Sequence, residues 1–204
     1  SSGKYKGVVD GEGISVFPNI YHSVLPFMND IIKIEGKGNK FGLKKLSGEV
    51  ILETKYDRID SLSELVFAVT LDGKLGFMNL KGETVIPFDY DAFDEEVAFY
   101  NGLACVNKSR DDGSYQFGYI DHSNMVVIPF QFSGAQTFKD KDYIENWITY
   151  PAGGDKSYTR DTYKLALDGT VLMVDSEHFE DTSWYKEWEA NHPYDESSRY
   201  NEYD

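Results

Sequence analysis

A single cysteine, Cys105, stands in 204 residues. One thiol supports neither an intramolecular disulfide framework nor a zinc or iron-sulfur site built from cysteines. Its neighbours in GLACV are apolar, which predicts a buried, inert thiol, because reactive cysteines sit in electropositive, accessible pockets. Long apolar runs are absent as well. The longest is MVVIPF, Met125 to Phe130, far short of the roughly 20 residues of a membrane helix, so no membrane insertion is expected. Basic residues are scarce: 20 Lys and Arg against 35 Asp and Glu give a formal charge of -15 and a pI near 4.6. That balance argues against nucleic acid or an anionic membrane surface as partner and favours a basic protein.

Sequence signatures of catalysis are missing too. There is no G-x-S-x-G elbow, no Walker-type phosphate loop, no H-E-x-x-H and no Cys-His pairing of useful spacing. The histidines, His22, His122, His178 and His192, are scattered and expected at the surface. Asp89, Asp91, Asp94, Glu95 and Glu96 crowd one stretch whose oxygens would suit Ca²⁺, but the string lacks the glycine and ligand spacing of an EF-hand. A solvated acidic loop is expected there. No catalytic residue, metal ligand or cofactor site is assigned, and the chain reads as non-enzymatic.

What the sequence does contain is internal repetition. Aligned on Gly7, Gly42, Gly76 and Gly118, four segments match without gaps: YKGVVDGEGISVFPNIYHSV, KFGLKKLSGEVILETKYDRI, KLGFMNLKGETVIPFDYDAF and QFGYIDHSNMVVIPFQFSGA. A turn residue lies six places after each anchor glycine (Gly13, Gly48, Gly82, Asn124) and an aromatic fourteen after it (Tyr21, Tyr56, Tyr90, Phe132). Pro18, Pro87 and Pro129 hold the eleventh place, with Glu53 there in the second copy. Large apolar residues fill the first place (Val8, Leu43, Phe77, Tyr119) and the tenth (Phe17, Leu52, Ile86, Ile128). The longer third interval is absorbed around NKSRDDGSYQ, a polar insertion carrying the glycosylation sequon Asn107-Lys108-Ser109. A degenerate fifth copy, YKLALDGTVLMV, keeps Gly169 but has Tyr163 at the anchor and no proline.

Each copy predicts a hairpin, because mixed alternation, a Gly or Asn turn and a Val/Ile run follow one another. Proline cannot donate to a ladder and is expected where the second strand ends. A third strand is predicted at DIIKI (30–34), LVFAV (65–69), LACV (103–106) and DYIENWI (142–148), entering the next copy through turns such as Asp72-Gly73. The expected fold is all-β: a tandem array of about four three-stranded antiparallel β repeats, a degenerate fifth and a short C-terminal helix. The repeats are placed at about 4–38, 39–72, 73–115 and 116–160, with the fifth at 161–175, and copies must stack because none can bury its apolar face alone. An open array is expected, and a small closed β-propeller is the alternative.

At these residues the chain resembles the WG-repeat (KWG-repeat) family, whose consensus runs roughly K-W-G-y-I-D-x-x-G-x-x-V-I-P-x-x-Y-D followed by F-x-x-G-L-A-x-V. KLGFMNLKGETVIPFDYDAF with GLACV is closest to it, and QFGYIDHSNMVVIPFQF nearly as close. The resemblance covers residues 4–175. The name-giving Trp is replaced by Lys6, Phe41, Leu75 and Phe117. The resemblance implies an all-β repeat protein of a bacterial family, often secreted or surface-associated, whose shared positions are structural and carry no common catalysis.

From Asp175 to Asp204 the sequence changes character: 10 acidic and two basic residues contribute -8 of the total -15. Residues 176–204 are read as an acidic, Trp-bearing cap or arm. Trp184 and Trp188, four apart, would share one face of a helix, and with Tyr185, Glu187 and Glu189 they are candidate partner-binding residues. Asp94, Glu95 and Glu96 are the second candidate group. The expected function is a protein-binding scaffold with an acidic surface, in its sharpest form an immunity or inhibitor protein for a basic toxin or enzyme. Glycan or cell-wall binding through exposed aromatics is the alternative. The compartment follows from a leader the sequence does not show: secreted or surface if a signal peptide was removed, otherwise cytoplasmic.

Overall fold

The computed structural model describes residues 5–111, 113–134, 136–139, 141, 143–152 and 157–179. Among these, regular structure is β apart from one 3-10 turn at Lys37–Asn39. The strands are β1 (Lys6–Val9), β2 (Ser15–Tyr21), β3 (Ser23–Met28), β4 (Ile31–Glu35), β5 (Phe41–Lys45), β6 (Val50–Tyr56), β7 (Arg58–Ile59), β8 (Val66–Leu71) and β9 (Lys74–Asn79). They continue with β10 (Thr84–Asp91), β11 (Phe99–Tyr100), β12 (Leu103–Ser109), β13 (Tyr115–Ile120), β14 (Val126–Phe132), β15 (Tyr143–Ala152), β16 (Ser157–Ala166) and β17 (Val171–Phe179). The expected C-terminal helix lies outside the described residues, while β17 runs four residues into the segment read as the arm.

The predicted third strands are β4, β8, β12 and β15. Each pairs antiparallel with the first strand of the following copy (β4 with β5, β8 with β9, β12 with β13, β15 with β16), so three of the four sheets cross a repeat boundary; β1 and β2 pair only with each other, and the eight-stranded sheet from β7 to β14 spans three copies. Asp72 (φ 51) and Gly73 (φ 75) make the two-residue β8–β9 turn expected of that dipeptide. Short strands β3, β7 and β11 add a fourth member beside β4, β8 and β12. Among the described residues no strand pairing joins the two ends and no sheet closes into a barrel.

Each hairpin carries the same irregularity. The residue before the anchor glycine pairs with the aromatic at place fourteen: Lys6 with Tyr21, Phe41 with Tyr56, Leu75 with Tyr90, Phe117 with Phe132. The residue after it pairs with place ten: Val8 with Phe17, Leu43 with Leu52, Phe77 with Ile86, Tyr119 with Ile128. The glycine alone therefore faces three residues on the second strand. A Cβ at Gly42, Gly76 or Gly118 would lie 2.8, 2.8 or 2.9 Å from the place-ten carbonyl oxygen, and at Gly7 the Phe17 carbonyl is closer still. This close approach is what demands glycine.

The prolines were expected to end the second strand, and the structure corrects this. Pro18, Pro87 and Pro129 lie inside β2, β10 and β14, as the first residue of the three that bulge across the glycine. A bulged residue leaves the ladder and has no donor to lose, so proline is tolerated mid-strand. The fifth copy makes the converse case. With Tyr163 at the anchor and no proline, Tyr163 pairs with Met173 and Thr162 with Asp175, and only Val174 is extra.

The copies stack through their turns. The Gly82 turn meets the backbone of β6, where a Cβ would lie 2.5 Å from the Ile51 oxygen, and the Gly169 turn meets Val127 of β14 in the same way at 3.0 Å. The Tyr90 hydroxyl donates to Asn124 Oδ1 (2.7 Å), and the place-fourteen rings stack on the next copy, Tyr56 on Phe88 and Tyr90 on Phe130. The core is accordingly a row of apolar clusters: one joins Leu43 and Leu52 to Phe67 and Met78 across two sheets, the next joins Phe77, Ile86 and Ala104 to Ile120 of the following copy within one sheet. Every fully buried Leu, Ile or Phe in such a layer contributes about 1.5–3 kcal/mol.

Candidate functional site

The acidic stretch after β10 is held by the preceding copy. Arg58 of β7 donates from its two terminal nitrogens to the carbonyls of Phe93 and Glu95 (2.6 Å each) and to Asp60 Oδ2 (2.8 Å). Asp60 in turn accepts from the Val97 amide (3.0 Å), and Ser61 N donates to Glu96 (3.2 Å). Ser61, opposed by burial but seconded by the positive fields of Lys139 and Arg58, holds the Glu96 carboxyl below the ordinary range. Asp94, Glu95 and Glu96 are all exposed, as the solvated-loop reading requires, yet Glu96 is engaged and the backbone of the stretch is clasped.

A pocket of about 260 Å³ opens beneath this loop, lined by Phe93, Glu95, Glu96, Cys105 and Gln136 among others. Its volume suits a single side chain, and its two carboxylates suit a cationic one. Cys105 is buried, and burial pushes its thiol up to about 12, which keeps it protonated and unreactive. Among the described residues, no three His, Cys, Asp or Glu come together as a metal site, and no helix is long and apolar enough to cross a membrane.

The cations of the fold are largely spent on itself. Lys40, Lys45, Arg58 and Lys74 pair with Asp57, Glu49, Asp60 and Asp91. Lys33, Lys44, Lys55, Lys108, Lys139, Arg160 and Lys164 lie over aromatic faces, Lys164 at 3.7 Å from the Tyr143 ring centre and Lys108 between Tyr90 and Phe130.

Of the other residues singled out in the sequence, Trp184, Tyr185, Glu187, Trp188 and Glu189 lie outside the described residues. His122 stacks on Phe99 (4.0 Å) and bonds Glu64 (2.8 Å), a strut between copies, and His22 stacks on Tyr5. The sequon expected in a polar loop is corrected: β12 extends through Ser109, and Asn107 is 1% exposed with Oδ1 unpartnered, out of reach of a glycosylating enzyme. The large exposed rings Tyr5, Tyr115 and Tyr143 sit on or beside three different sheets. The Arg58 clasp was not legible in the sequence, because Arg58 and its acceptors are 35 to 37 residues apart and most of those acceptors are backbone.

No curated protein matches the chain. The family model described as "WG containing repeat" matches at residues 41–74, 76–109 and 117–145, which are the second, third and fourth hairpins with the strands that follow them. Its repeat falls on the Gly, bulge and aromatic places that the structure shows to be the framework of each hairpin, and the chain belongs to the WG-repeat family.

Proposed function

We propose that this chain is a non-enzymatic protein-binding scaffold that presents an acidic surface to a basic protein, in its finer form an immunity or inhibitor protein that occludes a basic toxin or enzyme. The family supplies a β-repeat architecture, which offers extended surface for binding. The observation that carries the acidic reading is the excess of 35 acidic over 20 basic residues, with Asp94 and Glu95 exposed on a backbone fixed by Arg58. Opposite charge speeds encounter and selects the partner. The pocket beside Glu95 and Glu96 is a place for one Lys or Arg head. Glycan binding ranks lower because, among the described residues, the exposed rings Tyr5, Tyr115 and Tyr143 sit on or beside three different sheets and the Tyr143 face is covered by Lys164.

The test is affinity capture from source cells at low and high salt, with Asp94→Asn/Glu95→Gln as the comparison. Enrichment of high-pI proteins that is lost at high salt and weakened in the variant supports the reading. Salt-insensitive capture, or capture of glycan with no protein dependence, refutes it.

A further inference from the structure

β17 is an outer edge of the last sheet and carries more exposed apolar surface than the second strands of the other copies. Place ten is a core position in four copies, where Phe17, Leu52, Ile86 and Ile128 are 5%, 3%, 0% and 0% exposed; in the fifth it is Met173, 60% exposed. Leu172 (58%) and Val174 (52%) flank it, so three consecutive large apolar side chains stand in solvent on both faces of β17. The other second strands are interrupted by three-residue bulges, with proline in three of them, and the turns of the third and fifth copies seat on the strands before them. β17 lacks proline, has only the single extra residue Val174 in place of a three-residue bulge, and like β2, β6 and β14 pairs on one side only among the described residues. An unblunted edge with exposed apolar residues is a template for a further strand.

Charge selects the occupant. Asp175 and Glu177 lie on β17 itself, with Asp161 on β16 and Asp168 in the turn. Of the cations of β16, Lys164 lies over Tyr143, and Arg160, which stands opposite Glu177 in the ladder, lies over Trp147, both rings on β15. A second copy would bring another -15 to this edge. We infer that β17 is the acceptor edge for an extended, basic segment of a partner protein, which adds as a further strand with apolar residues beside Leu172–Val174 and Lys or Arg beside Asp175 and Glu177. This rests on the acidic-scaffold reading and names where that partner docks.

The test uses the full chain and two capped, alternating peptides, Lys-Val and Glu-Val, read by amide hydrogen exchange and chemical-shift mapping. The Lys-Val peptide is expected to protect the amides of residues 171–178, and the Glu-Val peptide not. Leu172→Glu/Met173→Glu, at exposed positions and checked by thermal melting, is expected to weaken binding about tenfold or more, while Met125→Glu, at an equally exposed apolar residue outside β17, leaves it unchanged. Lys-Val binding that maps instead to residues 89–96 overturns the edge assignment and spares the acidic reading, whereas no binding of either peptide overturns both. Protection of β17 in the free protein also overturns the assignment: if it is independent of concentration, the chain's own remaining residues occupy the edge, and if it grows with concentration, a second copy does.

Discussion

The ammonium of Lys74 and the carboxylate of Asp91 close the third hairpin, two places before the anchor glycine and one after the aromatic, and Lys40 and Asp57 close the second from the same places. In the first copy these places hold Tyr5 and His22, whose rings stack at 5.4 Å. One cross-strand site thus takes an ion pair or a ring pair. The K and the D that open and close the family consensus are partners across the hairpin.

This pairing has a pH signature. Burial pushes the Asp91 carboxyl up, but Lys74 and the Ser109 donors together bring it below its ordinary value, and Lys40 does the same for Asp57 against a burial penalty. A depressed folded pKa stabilises above the unfolded value of about 3.9, and that stability is lost as pH falls through the lower folded value. Asp91→Asn is expected to cost at most about 1 kcal/mol at neutral pH, because Lys74 is half exposed, and to flatten the loss of stability below about pH 4. Urea midpoints across pH for both proteins check this; parallel profiles would refute it.

Gly76→Ala places a methyl 2.8 Å from the Ile86 carbonyl oxygen and 3.1 Å from Phe88. Backbone cannot yield as a flexible side chain can, and a loss of about 1–3 kcal/mol is expected in urea unfolding. Gly11→Ala, with nothing within 4 Å, is the control and should stay within about 0.5 kcal/mol.

Asn146 pairs with the anchor place of the fifth copy, where Ile34, Val69 and Val106 stand opposite the anchor glycines of the others, and all four are fully buried. Its Nδ2 donates to the Tyr119 hydroxyl (2.7 Å), which donates to the Gln136 carbonyl (2.9 Å), while Asn146 Oδ1 has no partner. Tyr119→Phe strands these groups and is expected to cost about 1–3 kcal/mol. Adding Asn146→Val should recover part of that loss, so the double-mutant cycle shows a coupling of about 0.5 kcal/mol or more, and strict additivity would disprove the network.

Cys105 should resist aromatic disulfide reagents in the folded protein at mildly alkaline pH and react at once in urea, since burial holds the thiol up at about 12. A raised folded value keeps its stabilising effect below the ordinary thiol range, about 8.5, and that effect is lost as pH climbs towards 12. Rapid native labelling would contradict the burial.

β3, β7 and β11 were not legible in the residues themselves, whereas the three main strands of each copy, the turns and the repeat register were. Those are local: a positive φ at Gly82 or Asn124, alternation along a strand and the place-one/place-ten pairing follow from residues within one hairpin. The same signal misplaced the prolines, because a proline reads alike at a strand's end and in its bulge, and only the neighbouring glycine, seen across the ladder, distinguishes them. It also read Asn107 as loop, since the polarity of NKSRDDGSYQ conceals that its first three residues still pair with β13. Three features came only with tertiary packing: that sheets run across the boundaries between copies, that Arg58 clasps the acidic stretch of the next, and that Met173 is left bare. Each depends on what lies one repeat away, about 35 residues along the chain, and a buried place ten differs from an exposed one only by whether a further layer covers it.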